Sequence, residues 1–119
     1  MHIHYISEQN SILNHFLAQL RDVNIQKDSM RFRKNIERIG EIMAYELSKT
    51  LPYQEVAVQT PLGIKNTTTI KDNVVLCSIL RAGLALHTGF MNFFDDAENG
   101  FVSASRIHGN KEIKVEYQA

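Results

Sequence analysis

The chain has 119 residues, with 13 Lys plus Arg against 13 Asp plus Glu, and so carries no net charge. That length supports one domain with a modest core, and the charge balance excludes a globally basic nucleic-acid binder or a polybasic membrane-surface protein, so any cationic site must be local. A single cysteine excludes an internal disulfide, no apolar stretch approaches the roughly 20 residues of a membrane span, and no signal-peptide pattern opens the chain, which makes a cytoplasmic protein the expectation.

His2 and His4 alternate with Ile3 and Tyr5 in what reads as a short extended arm. Two histidines without a third ligand fall short of a structural metal site. Two helices are expected within 10–50. Asn10 and Ser11 can cap the first, and Ile12, Leu13, Phe16, Leu17 and Leu20 give it one apolar stripe. Asp28 and Ser29 are the cap candidates for the second, whose stripe is Phe32, Ile36, Ile39, Met43 and Leu47. Pro52 stops it. Gly40 inside that helix weakens it by about 1 kcal/mol relative to Ala and points to close helix packing. Lys27, Arg31, Arg33, Lys34 and Arg38 form a local basic cluster, read as a solvated helix face balanced by Glu37 and Glu41 ahead of an effector or phosphate surface.

Residues 54–70 read as a β-hairpin arm. Val56 and Val58 alternate with polar residues, Pro61 to Gly63 supplies turn chemistry, and Thr67 to Ile70 is β-branched. The stretch 74–80 is apolar, uncharged and short, as suits a strand covered on both faces. Cys77 inside it reads as a small buried hydrophobe. Arg81 follows with no spacer, and a guanidinium is costly to bury, so it belongs at the strand's exit. Gly83 permits a turn that other residues resist, and Leu84, Leu86, His87, Phe90 and Phe94 then keep helical spacing. Strand, tight turn and helix aim backbone N–H groups at an anion, and ligands of open α/β sheets sit at the carboxyl ends of strands. Two readings remain open on pattern alone: a phosphate or pyrophosphate site, or an Arg81 that pairs with a nearby carboxylate.

The helix is expected to run to about residue 94, and His87 to be a satisfied helix histidine. The acidic stretch 95–100 reads as a solvated loop. A second parallel strand spans 101–107, completing a βαβ core over 74–108 with Arg106 near its carboxyl end. A turn at 108–110 leads to an edge strand or flap over 112–118. In that arrangement Arg81 and Arg106 can converge on one anion.

Ser78-Ile79-Leu80-Arg81-Ala82-Gly83 resembles the signature of uracil phosphoribosyltransferases, members of the type I phosphoribosyltransferase fold. Arg31-Phe32-Arg33, Tyr45-Glu46, Val58 to Gly63, Ser105-Arg106 and Tyr117-Gln118 fall in family order at about family spacing. The resemblance implies an α/β fold with a partial parallel sheet, N-terminal helices and a hairpin arm. It implies transfer of a phosphoribosyl group from phosphoribosyl pyrophosphate to N1 of uracil, giving UMP and pyrophosphate, with Mg²⁺ bound mainly through the substrate and no metal ligand or dedicated nucleophile in this chain. Arg81, Ala82, Gly83 and Arg106 carry over as pyrophosphate contacts, and a cis Leu80–Arg81 bond is expected. It further implies a homodimer or higher oligomer through the hairpin and admits a nucleotide effector.

The family's phosphoribosyl loop, an acidic residue leading to Thr-Gly-Gly-Ser, is absent, as is the segment that reads the uracil edge. The likeness therefore covers the N-terminal part of the enzyme, and the isolated chain is expected to be inactive. Two further readings stand beside the enzyme: a non-catalytic nucleotide-binding or dimerisation module, and an inactive truncated product.

Overall fold

The computed structural model describes residues 1–106, 109 and 113–118. A 3-10 turn at Ile6–Glu8 precedes helix α1 (Leu13–Arg21), a second turn at Ile25–Lys27 and helix α2 (Ser29–Ser48). Both helices start where capping chemistry puts them. The Ser11 hydroxyl accepts from the Leu13 amide at 3.2 Å, and the Asp28 carboxylate accepts from the Arg31 amide at 3.1 Å. Asn35, buried on α2, donates to Gln19 Oε1 of α1 at 2.8 Å. Arg38 donates to Asn35 Oδ1 at 3.2 Å and stacks 5.4 Å over the Phe16 ring. Much of the basic cluster is thus engaged locally, since Arg31 also lies 3.8 Å from Asp28 and Lys34 3.2 Å from Glu37.

Strands β1 (Tyr53–Thr60) and β2 (Gly63–Ile70) form an antiparallel hairpin, a two-stranded sheet of its own. The turn is held by Thr60 Oγ1, which donates to the Gly63 carbonyl at 2.7 Å, and by a Gly63 φ of 135°, a conformation that disfavours any side chain. Leu62 at its tip is fully exposed.

Strands β3 (Val75–Leu80), β4 (Glu98–Arg106) and β5 (Ile113–Gln118) form the second sheet, in the order β3-β4-β5. β3 and β4 are parallel, with Leu80 opposite Ser103, and helix α3 (Leu84–Met91) connects them. β5 runs antiparallel to β4 at the edge, so the sheet is mixed. Residue 107 of the expected second strand, 108 and 110 of the expected turn, and 112 of the expected edge strand lie outside the described residues.

Helices α2 and α3 cross at two glycines. A Cβ on Gly40 would stand 2.6 Å from the Leu86 carbonyl oxygen, and one on Gly89 would fall on the Glu37 carbonyl oxygen. The backbones therefore touch, as Gly40 led us to expect. Asn92 ties the end of α3 to α2 by donating to Glu37 at 3.0 Å and Glu41 at 2.7 Å.

Three expectations are corrected. Apolar residues 74–80 do not form a strand covered on both faces: Leu76 is buried under the helices, whereas Val75, Cys77 and Ile79 are exposed. Cys77 is accordingly an exposed thiol, not a buried hydrophobe. The physical reason is that the described helices packed on this sheet lie on the Leu76 side. Last, α3 ends at Met91 and β4 begins at Glu98, so Glu98, Asn99 and Gly100 belong to a strand, not a solvated loop. Pairing of Glu98, Asn99 and Gly100 with Val75, Leu76 and Cys77 overrides their loop-like composition.

Candidate anion site at the carboxyl end of β3

The apolar run ends at Leu80, and the Leu80–Arg81 peptide bond is cis, as expected. Arg81, Ala82 and Gly83 then make a tight turn into α3. Gly83 sits at φ −73°, ψ −10°, an ordinary helical conformation, so it is not required for conformational freedom. It is required for space: a Cβ there would lie 2.7 Å from the Ile79 carbonyl oxygen and 3.5 Å from Ser78 Cβ. The Gly83 amide donates to that same Ile79 oxygen at 3.0 Å, the Leu84 amide to the Arg81 carbonyl at 3.2 Å, and the His87 amide to the Gly83 carbonyl at 2.9 Å. Gly83 thus shapes the turn while its own N–H is already used.

The other two turn residues are different. Arg81 and Ala82 are exposed, and among the described residues neither of their amides has a hydrogen-bond acceptor. The Arg81 guanidinium likewise has no hydrogen bond or ion pair among the described residues, so the carboxylate-paired alternative finds no partner there. Arg106 is exposed, ends β4, and is equally without an ion pair among the described residues. Since Leu80 pairs with Ser103, Arg106 stands one strand over and three residues further along. The fold therefore assembles Arg81, Ala82 and Gly83 into one turn and puts Arg106 at the same end of the sheet. Cationic side chains with open N–H donors at a strand's end suit an oxyanion.

Behind the turn His87 is a satisfied helix histidine, as expected, although its partners on β3 and β4 were not legible in the sequence. His87, buried on α3, bonds through Nδ1 to Ser78 Oγ of β3 at 2.5 Å and through Nε2 to Asn99 Oδ1 of β4 at 2.7 Å. Its proton positions follow from the partners. Asn99 Nδ2 donates to the Ala97 carbonyl at 3.1 Å, which leaves Oδ1 as acceptor for His87 Nε2–H. Nδ1 is then the acceptor, and the Ser78 hydroxyl donates to it. The Phe101 ring lies 5.0 Å from the imidazole. One side chain thus fastens β3, α3 and β4 together directly behind Arg81. The signal available in sequence was Ser78, a hydroxyl inside an aliphatic strand.

A parallel strand that delivers a guanidinium without a partner among the described residues, and a tight turn into a helix, defines an α/β protein with a candidate anion site at its strand ends. The chain belongs to the uracil phosphoribosyltransferase family, whose model matches residues 6–119. A uracil phosphoribosyltransferase of Porphyromonas gingivalis is 48% identical over 122 residues, covering 100% of this chain and 56% of the relative. That of Thermococcus gammatolerans is 40% identical over 116 residues, covering 95% and 51%. The solved structure of the AQ2163 protein from Aquifex aeolicus matches with a TM-score of 0.76 at 25% identity, covering 92% of this chain and 52% of that one. The chain spans about half the length of the curated relatives it matches.

Proposed function

We propose that this chain is the pyrophosphate-binding part of a uracil phosphoribosyltransferase, which forms UMP and pyrophosphate from uracil and 5-phosphoribosyl 1-pyrophosphate. The observation that carries the reading is the exposed, partnerless Arg81 beside two open amides at the carboxyl end of β3, in a member of this family. In the reaction N1 of uracil bonds to the anomeric carbon as the carbon–oxygen bond to pyrophosphate breaks, and pyrophosphate leaves with the electron pair. Such a displacement needs positioning and stabilisation of the leaving group's charge more than a protein nucleophile. Arg81 and the amides of Arg81 and Ala82 hold the departing pyrophosphate, Gly83 lets the turn approach β3, and Arg106 adds a second cation.

Among the described residues, no group of three or more His, Cys, Asp or Glu side chains could hold a metal ion. Mg²⁺ is proposed to arrive with the substrate, held mainly by its oxygens and water. The hairpin, with Val58, Leu62 and Ile64 exposed, is the proposed contact with a second copy. Among the described residues no helix is long and apolar enough to cross a membrane, and the proposed place of action is the cytoplasm.

The test is thermal unfolding with and without pyrophosphate. Ligand at about 100 times Kd stabilises by about 2.7 kcal/mol. Arg81→Ala is expected to abolish that protection while leaving the unliganded melting temperature unchanged, because the Arg81 side chain makes no hydrogen bond or ion pair among the described residues. Unchanged protection in Arg81→Ala would refute the reading. UMP formation from uracil and phosphoribosyl pyrophosphate is expected only when the rest of the domain is present. A second reading, a binding module without turnover, keeps the pyrophosphate response but yields no UMP in any assembly.

A further inference from the structure

We infer that His87 is a positioning residue for the anion site: its bond to Ser78 holds the turn of Arg81, Ala82 and Gly83 in place before a ligand arrives. The inference rests on the pyrophosphate reading of that turn, and it adds a residue that touches no ligand.

The turn is fastened to β3 from both sides. The Gly83 amide donates to the Ile79 carbonyl at 3.0 Å, and Gly83 packs so close that a Cβ there would stand 3.5 Å from Ser78 Cβ. His87 clasps the other side in two ways. Its amide donates to the Gly83 carbonyl at 2.9 Å, and its ring accepts from the Ser78 hydroxyl at 2.5 Å, nine residues back along the chain. Leu80, Arg81 and Ala82 therefore lie inside a loop shut by one side-chain bond. The Arg81 guanidinium and the amides of Arg81 and Ala82 make no bond among the described residues, so their placement is set by the residues around them. A turn already held in its bound shape spares the ligand the cost of ordering it, and a precise site needs bonded neighbours behind its contacting groups.

The two bonds of the His87 ring do different work. Ser78 is half-buried, so its hydroxyl depends on Nδ1. Asn99 is exposed, so water can take the place of Nε2–H there. The Nδ1 bond reaches the strand that carries the turn, and the Nε2 bond reaches β4. Losing the first loosens the turn. Losing the second leaves it shut. A histidine that served stability alone would instead make affinity follow stability, whichever bond is lost.

Two substitutions separate the bonds. His87→Asn keeps an acceptor at the Nδ1 position and loses the Nε2 donor. His87→Gln keeps an N–H at the Nε2 position and has no acceptor at Nδ1. The Kd for pyrophosphate is measured by isothermal titration calorimetry on the 119-residue chain, and exchange of the Gly83 amide is followed by NMR without ligand, relative to amides of α2. His87→Gln, and independently Ser78→Ala from the other side of the bond, are expected to raise Kd about tenfold and to speed Gly83 exchange relative to α2. Combining them is expected to add nothing further, because both cut one bond. His87→Asn is expected to return Kd and Gly83 exchange to near the parent's, even where its melting temperature is lower. A Kd that follows the melting temperature across all three single variants overturns the inference, as does a parent-like Kd in both His87→Gln and Ser78→Ala. Binding lost in Arg81→Ala but intact in His87→Gln refutes the role of His87 alone. A parent chain that does not bind pyrophosphate refutes the ligand and the anion half of this inference, and Gly83 exchange then decides whether His87 holds the turn.

Discussion

The two faces of the three-stranded sheet come from alternate residues of the same strands and meet opposite conditions. Leu76, Ser78, Asn99 and Phe101 point toward the helices, where the apolar groups are covered and the polar ones are bonded through His87. Val75, Cys77, Ile79 and Val115 point the other way, into solvent. The bare set is the more apolar and the more β-branched of the two, so apolar character does not mark the covered face. What separates them is a helix layer, and that layer is held by backbone contact at Gly40 and Gly89. The covered face therefore carries the packing between sheet and helices, and the bare face has no layer over it among the described residues. The Arg81 turn belongs to the covered side's scaffold, because Gly83 and His87 bond back to it.

The most damaging way to break this contrast is to push the helices apart. Gly89→Val places a branched side chain on the α2 backbone at Glu37, where no flexible side chain can yield. A loss of about 3 kcal/mol is expected, read as a lower urea midpoint in equilibrium unfolding. Next is His87→Leu, which fills the space but strands the half-buried Ser78 hydroxyl and takes the partner from the exposed Asn99 Oδ1. Leaving such groups unpaired costs about 1–3 kcal/mol, and since Ser78 is three residues before Arg81, pyrophosphate protection should fall along with the melting temperature. Asn99→Ala removes the outer partner only and should cost less than His87→Leu by the same denaturation measurement.

Much of this was legible in sequence, and what was not has a physical reason. Asp28 and Ser11 announced the helix starts because caps are local chemistry. The hairpin was readable from alternation and the 61–63 turn. The strand–turn–helix around Arg81 was readable because a charge abutting an aliphatic run leaves few placements. The start of β4 was not, since Asn99 in an acidic stretch looks solvated until His87, twelve residues away, is known to face it. The exposure of Cys77 was not, because an apolar run gives the character of a strand and not the number of layers packed on it. Gly83 was identified for the wrong reason: its φ is ordinary, and the need for glycine comes from the nearness of Ile79, which only the folded turn reveals.

A smaller effect sharpens the covered side. Glu37 accepts from Asn92 on α3 and pairs with Lys34. The Asn92 hydrogen bond first, then Lys34, holds its carboxyl below the ordinary value of 4.5. A carboxylate whose pKa is depressed by folding contributes stability that is fully present above the unfolded value and disappears as pH falls through the folded one. The protein should therefore lose this group's contribution as pH falls from 4.5 through the lower folded-state value. Glu37→Gln should be less stable than the parent at neutral pH, and the two should converge in acid when unfolding free energies are measured across that range.

The smallest expected effect decides the comparison most directly. Leu76 and Ile79 lie on one strand, three residues apart and on opposite faces, the first buried and the second exposed. Truncating both to Ala removes comparable aliphatic volume in the same β environment, so strand propensity cancels to first order. Leu76→Ala opens a cavity under α3 and should cost about 2–5 kcal/mol. Ile79→Ala removes surface that is already wet and should stay within about 0.5 kcal/mol of the parent. If Ile79→Ala is as costly as Leu76→Ala in the isolated chain, the face is already covered in solution and the contrast between the two sides of the sheet disappears.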